Sequence, residues 1–265
     1  MMDERLTLSR AKLTAFLACQ RRFQLRYREQ LAWPLAPLDD RGEEARLRGE
    51  RFHQLLHRHF LELPITDEMV EDKTVGRWWQ TFKKQGPVLS SGSPRSHRAF
   101  PELSLTVPIG RHLLTGRFDL LVLGEKAAHI YDWKTDARPR PEAELVNDLQ
   151  TRLYLALAVE GSAALEQPVD PDHLSLTYWY VNDPAAAVTI SYSKQAHHDN
   201  WATLATVVQE IDTQLSTQTV LPLTDDLGEC ARCAYQIYCG RQMATMSLDE
   251  WEMEDVAVEL APPTP

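Results

Sequence analysis

Leu114-Thr-Gly-Arg-Phe-Asp119, followed by Ile130-Tyr-Asp132-Trp-Lys134, is the stretch on which the reading of this chain turns. Both segments are apolar runs that end in charge. The spacing predicts strands over 112–123 and 127–135, joined by a hairpin turn at Gly124-Glu125-Lys126. Side chains alternate faces along a strand, so Asp132 and Lys134 project to the same side. If the two strands pair, Asp119 comes close to Asp132. Two carboxylates there form a hard oxygen site suited to Mg²⁺ or Mn²⁺. An ammonium beside them can offset negative charge that develops on a phosphoryl group. The plainer reading is two edge acids with Lys134 as a salt-bridge partner. Against it, a carboxylate at the end of an apolar strand is costly to bury without a partner.

Outward from this centre the texture is mixed. Helical periodicity covers 9–30, with Ser9 as its cap, then 43–61, and then 67–85, opened by Asp67. Leu103-Ser-Leu-Thr-Val107 alternates as a half-buried strand does. Residues 142–160 return to helix, 174–181 and 186–192 are strand-like, and 194–218 are helical. Strand runs interrupted by one helix predict an α/β fold, a central mixed β-sheet flanked by helices. The expected organisation is one domain over 1–241, comprising a helical part (1–98), a sheet core (99–192) and a helix with a cysteine segment (193–241). Ser90-Ser-Gly-Ser-Pro94 reads as a loop, and 242–265 as an acidic, solvated tail.

The chain has 265 residues and a formal net charge of −10, which weighs against an electrostatic grip on nucleic acid. The charge is segregated, however. The tail carries Asp249, Glu250, Glu252, Glu254, Asp255 and Glu259 with no Lys or Arg, whereas residues 1–60 carry a basic excess. Arg21, Arg22, Arg26 and Arg28, with Arg46, Arg48, Arg51 and Arg58, are candidate phosphate contacts. Trp78, Trp79, Phe82, Lys83 and Lys84 have the interleaving that stacks on single-stranded DNA, although paired Trp residues are more often core. No run is long and apolar enough for a membrane span, and the charged start Met1-Met-Asp-Glu-Arg5 has no secretory character, so a cytoplasmic location is expected.

Cys230, Cys233 and Cys239 form C-x2-C-x5-C, and Cys19 stands far upstream. Four thiolates in a reducing compartment can hold a tetrahedral zinc or an iron–sulfur cluster, and the spacing does not separate the two. A ligand set drawn from both ends of the domain would close a long loop and restrain fraying.

Gly116-Arg-Phe-Asp119 with Tyr131-Asp132-Trp-Lys134-Thr135 resembles the active-site core of the PD-(D/E)XK nuclease superfamily in its RecB-like branch. Gln150-Thr-Arg-Leu-Tyr154 and Gly49-Glu-Arg-Phe-His53 are similar to two further motifs of that branch. The resemblance implies a restriction-endonuclease-like core. His53, Asp119, Asp132 and a backbone carbonyl at Trp133 would then ligate Mg²⁺ or Mn²⁺, and Lys134 would be the catalytic lysine. Gln150 and Tyr154 would brace the site and the DNA backbone. Glu102 is a further acid, equally readable as a strand-end surface residue. A remote cysteine with a C-terminal trio looks like the clusters of CRISPR-associated RecB-like exonucleases and the AddB nuclease domain. On that resemblance, Cys19, Cys230, Cys233 and Cys239 would hold a [4Fe–4S] cluster, with Zn²⁺ as the alternative.

The expected activity is metal-dependent hydrolysis of DNA, by an exonuclease acting on single-stranded or free ends in repair, recombination or CRISPR adaptation. The chain shows no G-x-x-x-x-G-K-[ST] loop, so unwinding would need a helicase partner, and a CRISPR-adaptation protein is the other partner expected. The competing reading is an inactive nucleic-acid-binding or assembly subunit with a nuclease fold and a structural zinc. An intact Asp-Asp-Lys set argues against it.

Overall fold

The structure is a computed structural model that describes residues 5–31, 40–87, 97–231 and 233–241. The loop at 90–94 and the tail at 242–265 lie outside them. Where the sequence reads as one domain over 1–241, the chain divides into two compact units, each discontinuous in sequence. The first comprises Met1–Ala11 and Leu38–Asp212, the second Lys12–Pro37 and Thr213–Pro265. No helix among the described residues is long and apolar enough to cross a membrane.

The first unit holds the sheet. Its strands are β1 (Thr7–Leu8), β2 (His97–Ile109), β3 (His112–Gly124), β4 (Ala128–Lys134), β5 (Leu174–Tyr180) and β6 (Val188–Ser191). The order is β1-β3-β4-β5-β6, with β2 on β3. Pairing is mixed: β1/β3 and β4/β5 are parallel, while β2/β3, β3/β4 and β5/β6 are antiparallel. This is the α/β architecture that the sequence predicts. The turn at 124–126 closes with Gly124 N–H donating to Ala127 C=O at 2.8 Å. A second hairpin, unread in the sequence, joins β2 to β3 through Gly110, whose φ of +52° suits glycine.

Helix α3 (Asp40–Phe60) and helix α4 (Lys73–Gln85) supply one layer. The Asp72 carboxylate caps α4 by accepting from Thr74 N and Val75 N at 2.9 and 3.0 Å, so the helix opens there and not at Asp67, which begins a separate short 3-10 turn. Val75, Trp78, Trp79 and Phe82 follow at helical spacing and are buried with Phe52, Leu55, Leu56, Leu120, Val122, Trp133 and Trp179. The tryptophan pair is therefore core, and the stacking surface expected at 78–84 does not exist. The helical pattern over 142–160 is two helices, α5 (Glu142–Asn147) and α6 (Leu149–Glu160). Asp148, extended at ψ 137°, breaks them apart, and its carboxylate accepts from Gln150 N at 2.7 Å. Helices α5 and α6 form the crossover that parallel β4 and β5 require. The long helix α7 (Lys194–Thr217) follows β6 and runs from the first unit into the second.

The second unit joins an early segment of the sequence, from Lys12, to a late one, from Thr213. The helix expected over 9–30 is α1 (Arg10–Ala18), α2 (Gln20–Phe23) and a π turn (Gln24–Arg28). The break falls at Cys19, whose Sγ caps α2 by accepting from Arg22 N at 3.4 Å. Buried Gln24 holds the C-terminal segment: Nε2 donates to Thr219 C=O and Oε1 accepts from Leu221 N, both at 2.7 Å. Several arginines expected at phosphates are engaged inside this unit. Arg21 pairs with Glu29 at 3.1 Å, Arg22 with Glu229 at 3.0 Å, and Arg28 donates to Leu215 C=O at 3.1 Å.

Candidate active site

The acids gather where β3 changes partners. The β3/β4 ladder ends at Leu120↔Tyr131, which leaves Asp119 and Asp132 opposite one another just beyond it. On the other edge, Glu102 stands opposite Asp119 between the pairs Pro101↔Leu120 and Leu103↔Phe118. Glu102, Asp119 and Asp132 thus occupy one row across β2, β3 and β4. Like charges in directly opposed positions destabilise a sheet, so such a row calls for cations.

The sheet is distorted along this row. Gly116, Phe118, Leu120 and Val122 would share one face of a regular strand. Instead Gly116 and Phe118 meet α6, while Leu120 and Val122 join the cluster under α3 and α4. The reversal coincides with Asp119 and with Glu102, whose φ of +52° is strained for a residue with a Cβ. Asp119 Oδ2 accepts from Trp133 N at 2.8 Å, so a side chain takes an amide beyond the end of the ladder.

Two helices complete the cluster. From α3, His53 Nδ1 lies 3.3 Å from Asp119 Oδ1. Gly49, one turn earlier, lets α3 approach β4 closely, since a Cβ there would sit 3.2 Å from Thr135 Oγ1. From α6, Gln150 Nε2 donates to Asp132 Oδ1. Tyr154 packs edge-on against Phe118, with ring centroids 5.1 Å apart. Lys134 Nζ sits 2.6 Å from Asp132 Oδ2. That oxygen is buried, and Lys134 is the cation that faces it.

One imidazole nitrogen and one carboxylate oxygen each from His53, Glu102 and Asp119 lie within 4.8 Å of one another. Adjacent ligands of an octahedral Mg²⁺ stand about 3 Å apart and opposite ones about 4.2 Å, so the three would draw together to share an ion. The donor set is hard oxygen with one nitrogen, which fits Mg²⁺ and, with an imidazole present, Mn²⁺. Asp132 lies outside this closest group, with Gln150 on one carboxylate oxygen and Lys134 on the other. The contact the structure gives Trp133 toward the site is its amide on Asp119, and its indole is buried in the core.

The electrostatics agree with a cation-seeking pocket. Burial and then the Asp119 charge push the Asp132 carboxyl above the ordinary range, with Lys134 pulling the other way. Burial and then Asp119 also raise Glu102, against Arg117, His53 and His57. Burial lowers the His53 imidazole, but the Asp119 hydrogen bond and the charges of Asp119, Asp132 and Glu102 outweigh it, and the net shift is upward. A divalent ion among these groups would reverse the balance and hold the carboxylates ionised. A cleft of about 540 Å³ opens beside the group, bordered by Gly49, His53, His57, Glu102 and Arg117 among others.

A family model confirms the kinship. The model described as the PD-(D/E)XK nuclease superfamily matches residues 7–240. The chain belongs to the PD-(D/E)XK nuclease superfamily. Members of this superfamily generally hydrolyse phosphodiester bonds and typically use divalent metals. None of the curated proteins matches the chain. Among solved structures, one titled "Crystal structure of SSO0001" is similar at 13% identity over 91% of this chain and 90% of that one, with a TM-score of 0.38.

The sequence leaves Glu102 undecided, and the structure places it with His53 and Asp119. Counting outward from Gly110 would have found it, because a hairpin there sets Glu102 against Asp119. On α3 the sequence singles out His53 only by its position after Gly49, since His57 and His59 stand close by. The structure places His53 at Asp119 and His57 in the cleft, whereas His59 packs edge-on against Phe60, Trp79 and Phe82.

The four cysteines all fall in the second unit. Among the described residues, no three of their sulfurs lie within 4.8 Å of one another. Burial raises the Cys230 and Cys239 thiols, and neighbouring cysteines add to it. Four thiolates on one zinc, with bonds of about 2.3 Å, would all stand about 3.8 Å apart, an arrangement that no three of these sulfurs have.

Proposed function

We propose that the chain is a metal-dependent deoxyribonuclease of the RecB-like group, acting as an exonuclease on single-stranded DNA ends. The row Glu102–Asp119–Asp132, with His53 above it and Lys134 beside it, carries this reading. His53, Glu102 and Asp119, with Asp132 adjoining, would hold Mg²⁺ or Mn²⁺. Bound there, the ion supplies Lewis acidity toward a phosphoryl oxygen and a water of lowered pKa. The chain's own groups do the rest. Lys134, steadied by Asp132, places positive charge where a phosphorane would gather negative charge. Gln150 fixes the Asp132 carboxylate, and Tyr154, one turn later on the same helix, braces the site by packing against Phe118. Trp133 N–H orients Asp119 so that its other oxygen faces His53.

In the same reading Cys19, Cys230, Cys233 and Cys239 carry a [4Fe–4S] cluster as a structural staple. A cube of iron and sulfide holds its thiolates further apart than one ion does, which suits cysteines gathered in one unit but not in contact. The pathway class is end processing beside a helicase or a CRISPR-adaptation protein.

The test is degradation of end-labelled single-stranded and duplex DNA with Mn²⁺, set against EDTA and against Lys134→Ala and Asp132→Ala. The proposal predicts that EDTA and both substitutions abolish cutting, and equal cutting by all three proteins refutes it. Anaerobic purification should yield a brown protein. A colourless one carrying an equivalent of zinc refutes the cluster.

A further inference from the structure

Among the residues that border the cleft, Arg117 stands apart. Its side chain is 69% exposed, and Nε pairs with Glu102 Oε2 at 3.0 Å. Among the described residues its terminal Nη atoms make no hydrogen bond. The cleft's other arginine, Arg46, is drawn back by Glu43 at 2.6 Å and by Glu50. Arg117 is thus the cleft cation with donors to spare, beside a proposed metal ligand. Its planar fork can hold two oxygens of one phosphate, which a lysine cannot. The strand it would hold is a polyanion entering a cleft that also presents Glu50 and Glu102. Such a strand needs fixed positive charge at the rim as well as an ion at the centre.

We infer that Arg117 is a substrate-binding residue, gripping the two non-bridging oxygens of one phosphodiester of the nucleic-acid strand through its Nη edge while Nε stays on Glu102. The inference rests on the nuclease reading above and deepens it. Arg117 competes with the metal for Glu102 and cooperates with it for DNA. Removing Arg117 therefore has opposite effects on the two ligands. Freed of its guanidinium partner, Glu102 binds Mn²⁺ as well or better, while DNA binds less well. A purely structural role, holding Glu102 in its strained conformation, would weaken both together.

The experiment compares wild type, Arg117→Ala and Arg117→Lys in the full chain. Mn²⁺ affinity is measured without DNA by calorimetry. Binding of a labelled single-stranded oligonucleotide is measured with Ca²⁺ in place of Mn²⁺, across a salt series. Arg117→Ala should raise the oligonucleotide Kd about tenfold and reduce the salt slope by about one, with Mn²⁺ affinity unchanged or tighter. Arg117→Lys keeps the charge and loses the fork, so it should recover the slope and only part of the affinity. An unchanged oligonucleotide Kd in Arg117→Ala, or a parallel loss of Mn²⁺ affinity, overturns the inference. If wild type neither binds the oligonucleotide nor cuts DNA with Mn²⁺, the nuclease reading itself fails and takes this one with it.

Discussion

Gly116 is where the apolar core and the site meet, and Gly116→Ala is the most informative single change. A Cβ there would lie 2.7 Å from Leu157 Cδ1 and 3.3 and 3.5 Å from the Tyr154 ring. Carbon atoms in good contact sit about 3.5–4.0 Å apart, so the methyl intrudes by about 1 Å. Leu157 is fully buried and cannot swing into solvent. Overpacking of this kind costs about 1–3 kcal/mol, and each kcal/mol lowers Tm by about 2–4 °C in a chain of this size. The strain falls on α6, which carries Gln150 and Tyr154 to the site. A displacement near 1 Å there is expected to reduce Mn²⁺-dependent cutting by up to about 100-fold. Leu157→Ala removes the obstructing atom and by itself costs about 2–5 kcal/mol. In that background Gly116→Ala adds a methyl to a vacated space, so the double variant should be at least about 1 kcal/mol more stable than the sum of the singles implies. Urea unfolding of the four proteins measures this. Additive costs would show that β3 and α6 do not meet at Gly116 as described.

Asp132→Asn should abolish cutting yet raise stability in metal-free buffer by about 1 kcal/mol at pH 8. An acid whose pKa is raised on folding costs stability once ionised, so the gain should shrink as pH falls through that raised pKa. A less stable variant at pH 8 would mean that the Lys134 pair outweighs burial. His129 accepts or donates to Ser175 and Thr177 at 2.6 and 2.8 Å, and burial lowers its pKa from 6.5 to about 4. The unfolded chain then binds the extra proton between those values, so stability drops by up to about 3 kcal/mol as pH falls from 6.5 toward 4. His129→Asn should remove that part of the acid sensitivity, and superimposable pH profiles would exclude it. Gln24→Ala leaves the buried Leu221 N–H unpaired, at about 1–3 kcal/mol. Limited proteolysis should then open the second unit first, and an unchanged cleavage pattern would dismiss the role given to Gln24.

Much of the fold is legible because periodicity is a local property. The helices at 40–60 and 194–217 and the strands from 112 to 191 fall where hydrophobic spacing puts them to within a few residues, and the helix at 73–85 ends where expected but starts six residues later than Asp67. Local pattern fails where one polar side chain turns the backbone. Cys19 and Asp148 each break a helical run by capping the helix that follows, and neither break interrupts the apolar pattern. The Trp78–Trp79 pair illustrates another limit, since aromatics beside lysines are more often core yet have the pattern of a stacking platform, and only burial separates the two.

The sequence by itself determined the chemistry of the centre, because Asp119, Asp132 and Lys134 declare their types and strand spacing brings them to neighbouring positions. It also determined the mixed α/β architecture and the superfamily. Only the tertiary structure decided which acid joins His53 and Asp119, because that depends on a hairpin register counted from Gly110 and on a reversed pleat at Glu102. The cysteine spacing already points to a meeting of residue 19 with residues 230–239, and only the tertiary structure supplied Gln24 as a side chain that joins the two segments. Contacts between residues some 200 positions apart leave no trace in any local window.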